Sequence, residues 1–214
     1  MCPLIDDVIV ATCDVEILQA IQSYGGKAVM TSDTHERCTD RVVEAAASEA
    51  CDIVVNVQGD EPLLRPDLLE LLVAPLLADT GLQCTNLMSP IKREEAANPN
   101  LVKVVCDLQG NALYYSRDPI PSPKKAGRLP LHYFRQLGIY GFTKSFLSQY
   151  GALSPTPLEA VESVDMLRAV EHGIRVRMVV AEFSGVSVDI PAELAQATAL
   201  VQADPLTQRY MGVK

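Results

Sequence analysis

The amino-terminal part of the chain alternates short β-branched apolar runs with stretches of helical spacing. Residues 7–12 (Asp-Val-Ile-Val-Ala-Thr) read as a strand, and 15–21 follow with Val15, Ile17, Leu18 and Ile21 spaced for a helix that stops at Gly25-Gly26. A second strand is expected at 27–31. A helix should open at Thr39-Asp40-Arg41 and run to about residue 50, with Val42, Val43 and Ala46 on one side, before a third strand at 53–57. This βαβαβ alternation predicts a parallel sheet with right-handed crossovers. A leucine-rich helix over 66–77 and a further strand over 83–87 extend it.

The pattern changes after residue 100. Runs 101–106 and 112–116 are joined by Asp107-Leu108-Gln109-Gly110-Asn111, a hairpin signal that adds an antiparallel part to the sheet. Residues 118–130 hold four prolines and three basic residues and should form a loop over or beside a site. Beyond it, 136–142 is strand-like and 145–150 a short helix. One regular helix is predicted over 157–172, with Leu158, Val161, Val164, Leu167, Ala169 and Val170 as its apolar side and Gly173 as its stop. A strand at 175–180, a turn after 186–189 and a last helix over 191–202 complete the chain.

The third strand carries the candidate chemistry. It runs from Asp52 through Val57 into Gln58-Gly59-Asp60-Glu61-Pro62: the glycine lets the backbone leave the strand, and the proline cannot donate to a ladder. Two acids therefore stand at the open edge of a sheet, where α/β proteins bind ligands. The same Asp-Glu-Pro could instead cap the following helix, whose first turn favours negative charge.

Composition narrows the class. A length of 214 residues suits one large domain, and no apolar run approaches the roughly 20 residues that span a bilayer. No basic segment followed by an apolar one marks the start as a signal peptide, so a cytoplasmic protein is expected. The six cysteines form no Cys-x-x-Cys pair, which points to reduced thiols rather than a zinc site or disulfide framework. A net charge of −9 disfavours nucleic acid and anionic membranes as partners, and an anionic substrate would need metal ions or local arginines.

The run Asn56-Val57-Gln58-Gly59-Asp60-Glu61-Pro62 resembles that of the 3-deoxy-manno-octulosonate cytidylyltransferases, the CMP-Kdo synthetases. So do Asn98-Pro99-Asn100-Leu101-Val102-Lys103-Val104-Val105, Ala112-Leu113-Tyr114-Tyr115-Ser116-Arg117, Gly138-Ile139-Tyr140-Gly141-Phe142, Pro157-Leu158-Glu159 and Val188-Asp189-Ile190-Pro191-Ala192-Glu193-Leu194. Any one motif is weak, but the ordered series is specific and spans essentially the whole chain. The resemblance implies a single Rossmann-like nucleotidyltransferase domain over 1–214, of α/β class and mainly parallel sheet. An antiparallel excursion at 98–142 would serve homodimerisation.

It implies transfer of CMP from CTP to Kdo or a related acid sugar, releasing pyrophosphate and giving the CMP-sugar for lipopolysaccharide synthesis, with Mg2+ held by Asp60 and Asp189 as the catalytic aspartates. Gln58, Thr39, Arg41 and Thr12 fall on the nucleotide side; Arg117, Gln136 and Asp165 fall on the sugar side. Residue by residue, alternatives stand: Thr39 can simply cap its helix, Arg41 can pair with an acid on its own helix, and Arg117 can close a hairpin-end salt bridge. Glu61 is given no role by the resemblance.

Several positions depart from the family pattern. The family's opening strand and its Pro-Ala-Arg loop, which holds the triphosphate, have no counterpart ahead of 7–12, and that strand lies between the ones matching 8–12 and 53–57. Those two strands are expected to close the gap directly, recruit another segment or leave a weakened sheet. Cys13 stands where relatives have aspartate, Arg37-Cys38 where they have Ser-Gly, and Asp165-Met166 where they often have Glu-Gln. Two functional classes thus remain: a magnesium-dependent cytidylyltransferase, or a non-catalytic relative serving as a sugar-binding or dimerisation module. A nicotinamide-dependent dehydrogenase is excluded because no Gly-x-Gly-x-x-Gly follows the first strand.

Overall fold

The computed structural model describes residues 2–127, 129–183, 185–188 and 190–210. In chain order the elements are β1 (Ile9–Thr12), α1 (Val15–Ser23), β2 (Lys27–Met30), α2 (Cys38–Ala46), β3 (Ile53–Val57), α3 (Pro66–Ala78), β4 (Cys84–Ile91), β5 (Lys103–Cys106) and β6 (Ala112–Ser116). They continue with β7 (Tyr133–Thr143), α4 (Lys144–Tyr150), α5 (Pro157–Glu162), α6 (Met166–Glu171), β8 (Arg177–Val180), α7 (Pro191–Ala203) and α8 (Pro205–Tyr210).

The sheet is mixed. β3, β4, β5 and β8 share one direction, but β7 runs against β3, β4 and β5, and β6 runs against β5, so among the described residues parallel ladders form only at β1–β2 and β4–β8. The expectation of a mainly parallel sheet therefore holds for strand direction and fails for pairing, because the long β7 inserts between parallel neighbours. One edge of β7 pairs along β4. Its other edge is shared: Ile139 to Thr143 face β3, and Arg135 faces Lys103 of β5.

Side chains alternate across β7 as a strand requires. Leu137 and Ile139 pack with Leu68 and Leu72 of α3, whereas Tyr140 and Phe142 pack with Phe146 and Tyr150 of α4 and with Met166 and Leu167 of α6. Helices thus cover both faces of the central strands.

The βαβαβ expectation holds at its first joint and fails at its second. β1 and β2 form a two-stranded parallel sheet of their own, and neither pairs with β3. Among the described residues no strand bonds to the second edge of β1 or of β3, although α2 packs on both strands. Of the three outcomes foreseen for this gap, the structure has the weakened sheet. The consequence is visible in burial, since α1 has no buried residue and Val8 and Tyr24 stand exposed.

The single helix expected over 157–172 is also two helices. α5 ends at Glu162, Ser163 takes a left-handed conformation (φ 54°), and α6 begins at Met166. Arg117 explains the break: its Nε donates to the Glu162 carbonyl at 2.7 Å and its Nη2 to the Ser163 carbonyl at 3.3 Å. Those carbonyls would serve the next helical turn, and a cation at a helix C-terminus is well placed to take them. The Glu162 carboxylate is drawn to β6 as well, accepting from Tyr114, Ser116 and the Arg117 amide.

Candidate active site

The site forms where β3 ends. The Gln58 amide donates to the Gly138 carbonyl at 2.9 Å, which keeps the chain on β7 for one more residue, and Gly59 then releases it. Gln58 lies flat against β7: a Cβ at Gly138 would stand 2.7 Å from its Oε1. Its Nε2 donates to the Cys38 sulfur at 3.0 Å and reaches Tyr140 Oη at 3.4 Å.

Opposite β3 stand the start of α2 and the break between α5 and α6. Asp165 lies in that break, and its Oδ2 accepts from the Thr39 amide (3.0 Å), the Thr39 hydroxyl (2.7 Å) and the Cys38 thiol (3.1 Å). Burial and the adjacent Asp165 carboxylate push the Cys38 thiol up to about 12, so it remains protonated and serves as a donor. Arg37 closes the same side, donating to Ser163 Oγ at 2.8 Å and to the Glu159 carbonyl at 3.2 Å.

Two adjoining clefts result. The larger, about 370 Å³, is lined by Glu36, Arg37, Cys38, Gln58, Gly59, Asp60, Ser163 and Asp165. The smaller, about 140 Å³, shares Gln58, Asp60, Ser163 and Asp165 and extends to Glu61, Arg117, Arg135, Gln136 and Ser187. One wall of the smaller cleft is held by Lys103, fully buried, whose Nζ donates to the carbonyls of Asn98 (2.9 Å), Leu101 (2.6 Å) and Arg117. Burial lowers the Lys103 pKa below its ordinary value.

Glu61 faces this second cleft. Only 6% of it is exposed; its Oε1 accepts from Ser187 Oγ at 2.9 Å and more weakly from the Gly138 amide at 3.4 Å, while its Oε2 meets no donor among the described residues. Burial, reinforced by the neighbouring Asp60 charge, raises its carboxyl above the usual range. An orphaned buried acceptor of this kind costs about 1–3 kcal/mol. Arg135 lies in the same cleft, donating to the Gly185 carbonyl at 3.0 Å and standing 5.3 Å from the Phe183 ring centre. Burial lowers its pKa from the ordinary arginine value.

Of the residues selected from the sequence, Gln58, Asp60, Arg117, Gln136 and Asp165 come together around these clefts. Thr39 is buried behind Asp165 rather than in the lining. Thr12 and Arg41 also lie outside the lining: the Thr12 hydroxyl accepts from the Asp14 amide, and Arg41 donates to Thr31 Oγ1 and the Ser32 carbonyl. Arg117 is more constrained than a free carboxylate clamp, because three of its N–H groups hold the carbonyls of Pro99, Glu162 and Ser163. Asp189 lies outside the described residues. Its neighbour Val188 donates to the Asp60 carbonyl at 2.9 Å, so the two chain segments meet at this point. Carboxylate oxygens are the donors that a hard divalent ion such as magnesium prefers.

Two of the departures also find their place. Met166 is fully buried against Cys84 in the core, so its thioether is a packing element. Arg37 and Cys38 line the larger cleft and change its wall directly. Sequence reasoning passed over Arg135, Ser163 and Ser187. Ser163 had a signal, since serine and aspartate inside an otherwise apolar helical run favour caps and breaks; Ser187 and Arg135 had none beyond lying beside matched motifs.

Comparison with known proteins identifies the family. The family model described as Cytidylyltransferase matches residues 1–178. A 3-deoxy-manno-octulosonate cytidylyltransferase of Geobacter metallireducens is 41% identical over 203 residues, covering 89% of this chain and 79% of that protein. The Myxococcus xanthus protein of the same name is 42% identical over 199 residues, covering 92% and 80%. Among solved structures, a CMP:2-keto-3-deoxy-manno-octonic acid synthetase complexed with CTP superposes with a TM-score of 0.88 at 38% identity, over 95% of this chain and 83% of that one. A 4-diphosphocytidyl-2C-methyl-D-erythritol synthase from Anaerococcus prevotii, 15% identical with a TM-score of 0.61, shares the fold alone. The chain therefore belongs to the cytidylyltransferase family, among the 3-deoxy-manno-octulosonate cytidylyltransferases.

Proposed function

We propose that this chain transfers CMP from CTP to Kdo or a closely related acid sugar and releases pyrophosphate. The observation that carries the reading is the pair of clefts that meet at Gln58 and Asp60. The larger suits the nucleotide; the smaller, lined by Arg117, Arg135 and Gln136, suits a sugar carboxylate and its hydroxyls. The anomeric oxygen of the sugar forms a bond to the α-phosphorus, the bond to the β-phosphate bridge breaks, and the sugar's proton leaves to solvent. Such a displacement rests on holding two anions in line.

Asp60, at the junction, together with Asp189 would hold Mg2+, which neutralises charge on the phosphates when bound. Gln58 and Cys38 line the wall beside the nucleotide, while Asp165, which holds Thr39 and Cys38, borders both clefts and also serves the sugar side. Thr12 and Arg41 support this side from outside the lining. The whole of 1–214 acts as one catalytic unit, and its product suits lipopolysaccharide synthesis in the cytoplasm. Among the described residues no helix is long and apolar enough to cross a membrane.

The 98–142 excursion supplies the dimer surface. Leu108 and Leu113, on the β5–β6 hairpin, are exposed and apolar, as such a surface requires. The matched relatives are enzymes of which this chain covers about four fifths, which favours transfer over a binding or dimerisation module.

The test is pyrophosphate release from CTP, Mg2+ and Kdo, with Asp60→Asn and Asp189→Asn as controls. Release by the wild type and loss in both variants is expected. A folded wild type inert toward Kdo and toward other acid sugars overturns the proposal. Sedimentation of the wild type against Leu113→Asp tests the dimer, which the variant should dissociate.

A further inference from the structure

The smaller cleft contains two buried oxygens that meet no partner among the described residues. Glu61 Oε2 is one; Gln136 Oε1 is the other, its amide nitrogen being taken up by Tyr140 Oη at 2.5 Å. Turning the Gln136 amide over exchanges an orphaned acceptor for an orphaned donor and does not remove the vacancy in bonding. Glu61 has no such freedom, because an ionised carboxylate only accepts. Ser187 and Gly138 fix its Oε1, so the second oxygen is held in place toward the cleft.

Buried acceptors of native proteins are normally bonded, and two together in one cleft indicate what its ligand carries. The complement to them is a set of O–H donors on adjacent carbons. Arg135, in the same lining, adds a cation. We infer that Glu61 is a substrate-contacting, specificity-determining residue: its Oε2 accepts a hydrogen bond from a hydroxyl of a polyhydroxylated acid, with Gln136 taking a second polar group of the same molecule.

This inference rests on the transfer reading above, in that the smaller cleft is assigned to the acceptor sugar. The roles divide cleanly. Asp60 belongs to the junction with the phosphates, whereas Glu61, one residue further, turns to the sugar. Glu61 thereby makes the sugar side sensitive to the position of hydroxyls and not only to the carboxylate.

The experiment is calorimetric binding of Kdo, and of analogues each lacking one hydroxyl, to the wild-type chain and to Glu61→Gln, with CTP binding measured in parallel. Glu61→Gln keeps an oxygen for Ser187 and places a donor where the acceptor was. One analogue should bind the wild type about tenfold more weakly than Kdo, the size of one hydrogen bond to a charged acceptor. Glu61→Gln should lose a similar factor toward Kdo, be indifferent to that same deletion, and bind CTP within about twofold of the wild type. Equal affinity of the variant for Kdo, or a loss that falls on CTP, overturns the assignment. If Glu61→Gln does not fold, the wild-type series decides: no single deletion weakening binding beyond about twofold overturns it. Sugar binding without CMP transfer would refute the transfer reading and leave this inference standing, whereas transfer with an unselective Glu61 would do the reverse.

Discussion

Asp165 accepts both the backbone amide and the hydroxyl of Thr39 through a single carboxylate oxygen, at 3.0 and 2.7 Å. That contact joins the first turn of α2 to the break between α5 and α6, elements 126 positions apart in the chain. Asp165→Ala would strand the donors of Thr39 and Cys38 in a buried place. We expect a loss of about 2–4 kcal/mol in urea unfolding, against about 1–2 kcal/mol for Thr39→Val, which removes one bond only. Equal stability of Asp165→Ala and the wild type would show the contact to be incidental.

Arg168 anchors the same region from below. It forks onto Glu159 (2.7 to 3.0 Å) and Asp40 (2.6 and 3.0 Å) and stands 4.9 Å from the centre of the Tyr150 ring. Arg168→Met takes the guanidinium from two carboxylates, leaving buried Glu159, among the described residues, only the longer ion pair with Arg37 at 3.9 Å, and should destabilise by about 3–5 kcal/mol. Adding Glu159→Gln should recover part of that loss. Chemical denaturation of the single and double variants measures it, and a double variant no more stable than the single would contradict the account.

Thiol reactivity should divide by location. Cys13 and Cys51 are exposed and should react readily with a disulfide reagent in the folded protein, while Cys38, half-buried in the cleft wall and held protonated, should react far more slowly until the chain unfolds. The same group predicts a pH effect. The folded thiol titrates near 12 and the ordinary thiol near 9, so the unfolded chain ionises first. Stability from this group is complete below about pH 9 and declines as pH rises toward 12. Cys38→Ser should flatten that alkaline decline, and a slope unchanged by the substitution would assign it to other groups.

Hydrogen exchange should separate the two sheets. Amides of Val10, Ala11 and Val29 lie in a two-stranded ladder beside a helix with no buried residue, whereas those of Ile139 and Phe142 lie in a strand paired on both edges. Exchange in β1 and β2 should be about a hundredfold faster or more. Comparable protection in both sheets would show that the amino-terminal pair is stabilised by something beyond its ladder.

Much of this was legible in the chain. The end of β3, with Gln58 and Asp60 delivered to the cleft, follows from a β-branched run, a glycine and a proline, all local signals. The hairpin at Asp107–Asn111 was equally local: Gly110 sits at φ 83° and the Asp107 carboxylate accepts from the amides of Gln109 and Asn111. What was not legible depends on partners remote in sequence. The split at Ser163 requires Arg117 from β6 to take helical carbonyls, and apolar spacing over 157–172 carries no trace of that arginine. Strand pairing failed for a similar reason: local runs predicted β1, β2 and β3 in one parallel sheet, but nothing local places β7 between β3 and β4. Thr39 was chosen for its hydroxyl, and the structure puts that hydroxyl on Asp165, behind the lining.

The sharing of one edge of β7 has a further consequence. Gly138 lies at the changeover from β5 to β3, its carbonyl bonded to Gln58 and its amide approached by Glu61. Any side chain there would overlap Gln58. The two clefts are therefore gauged from one backbone position, so a shift of this strand by a fraction of an ångström would detune both at once. Side chains at the walls can reshape either cleft separately, but the spacing between the two clefts is written into a peptide unit that no side-chain substitution can adjust independently.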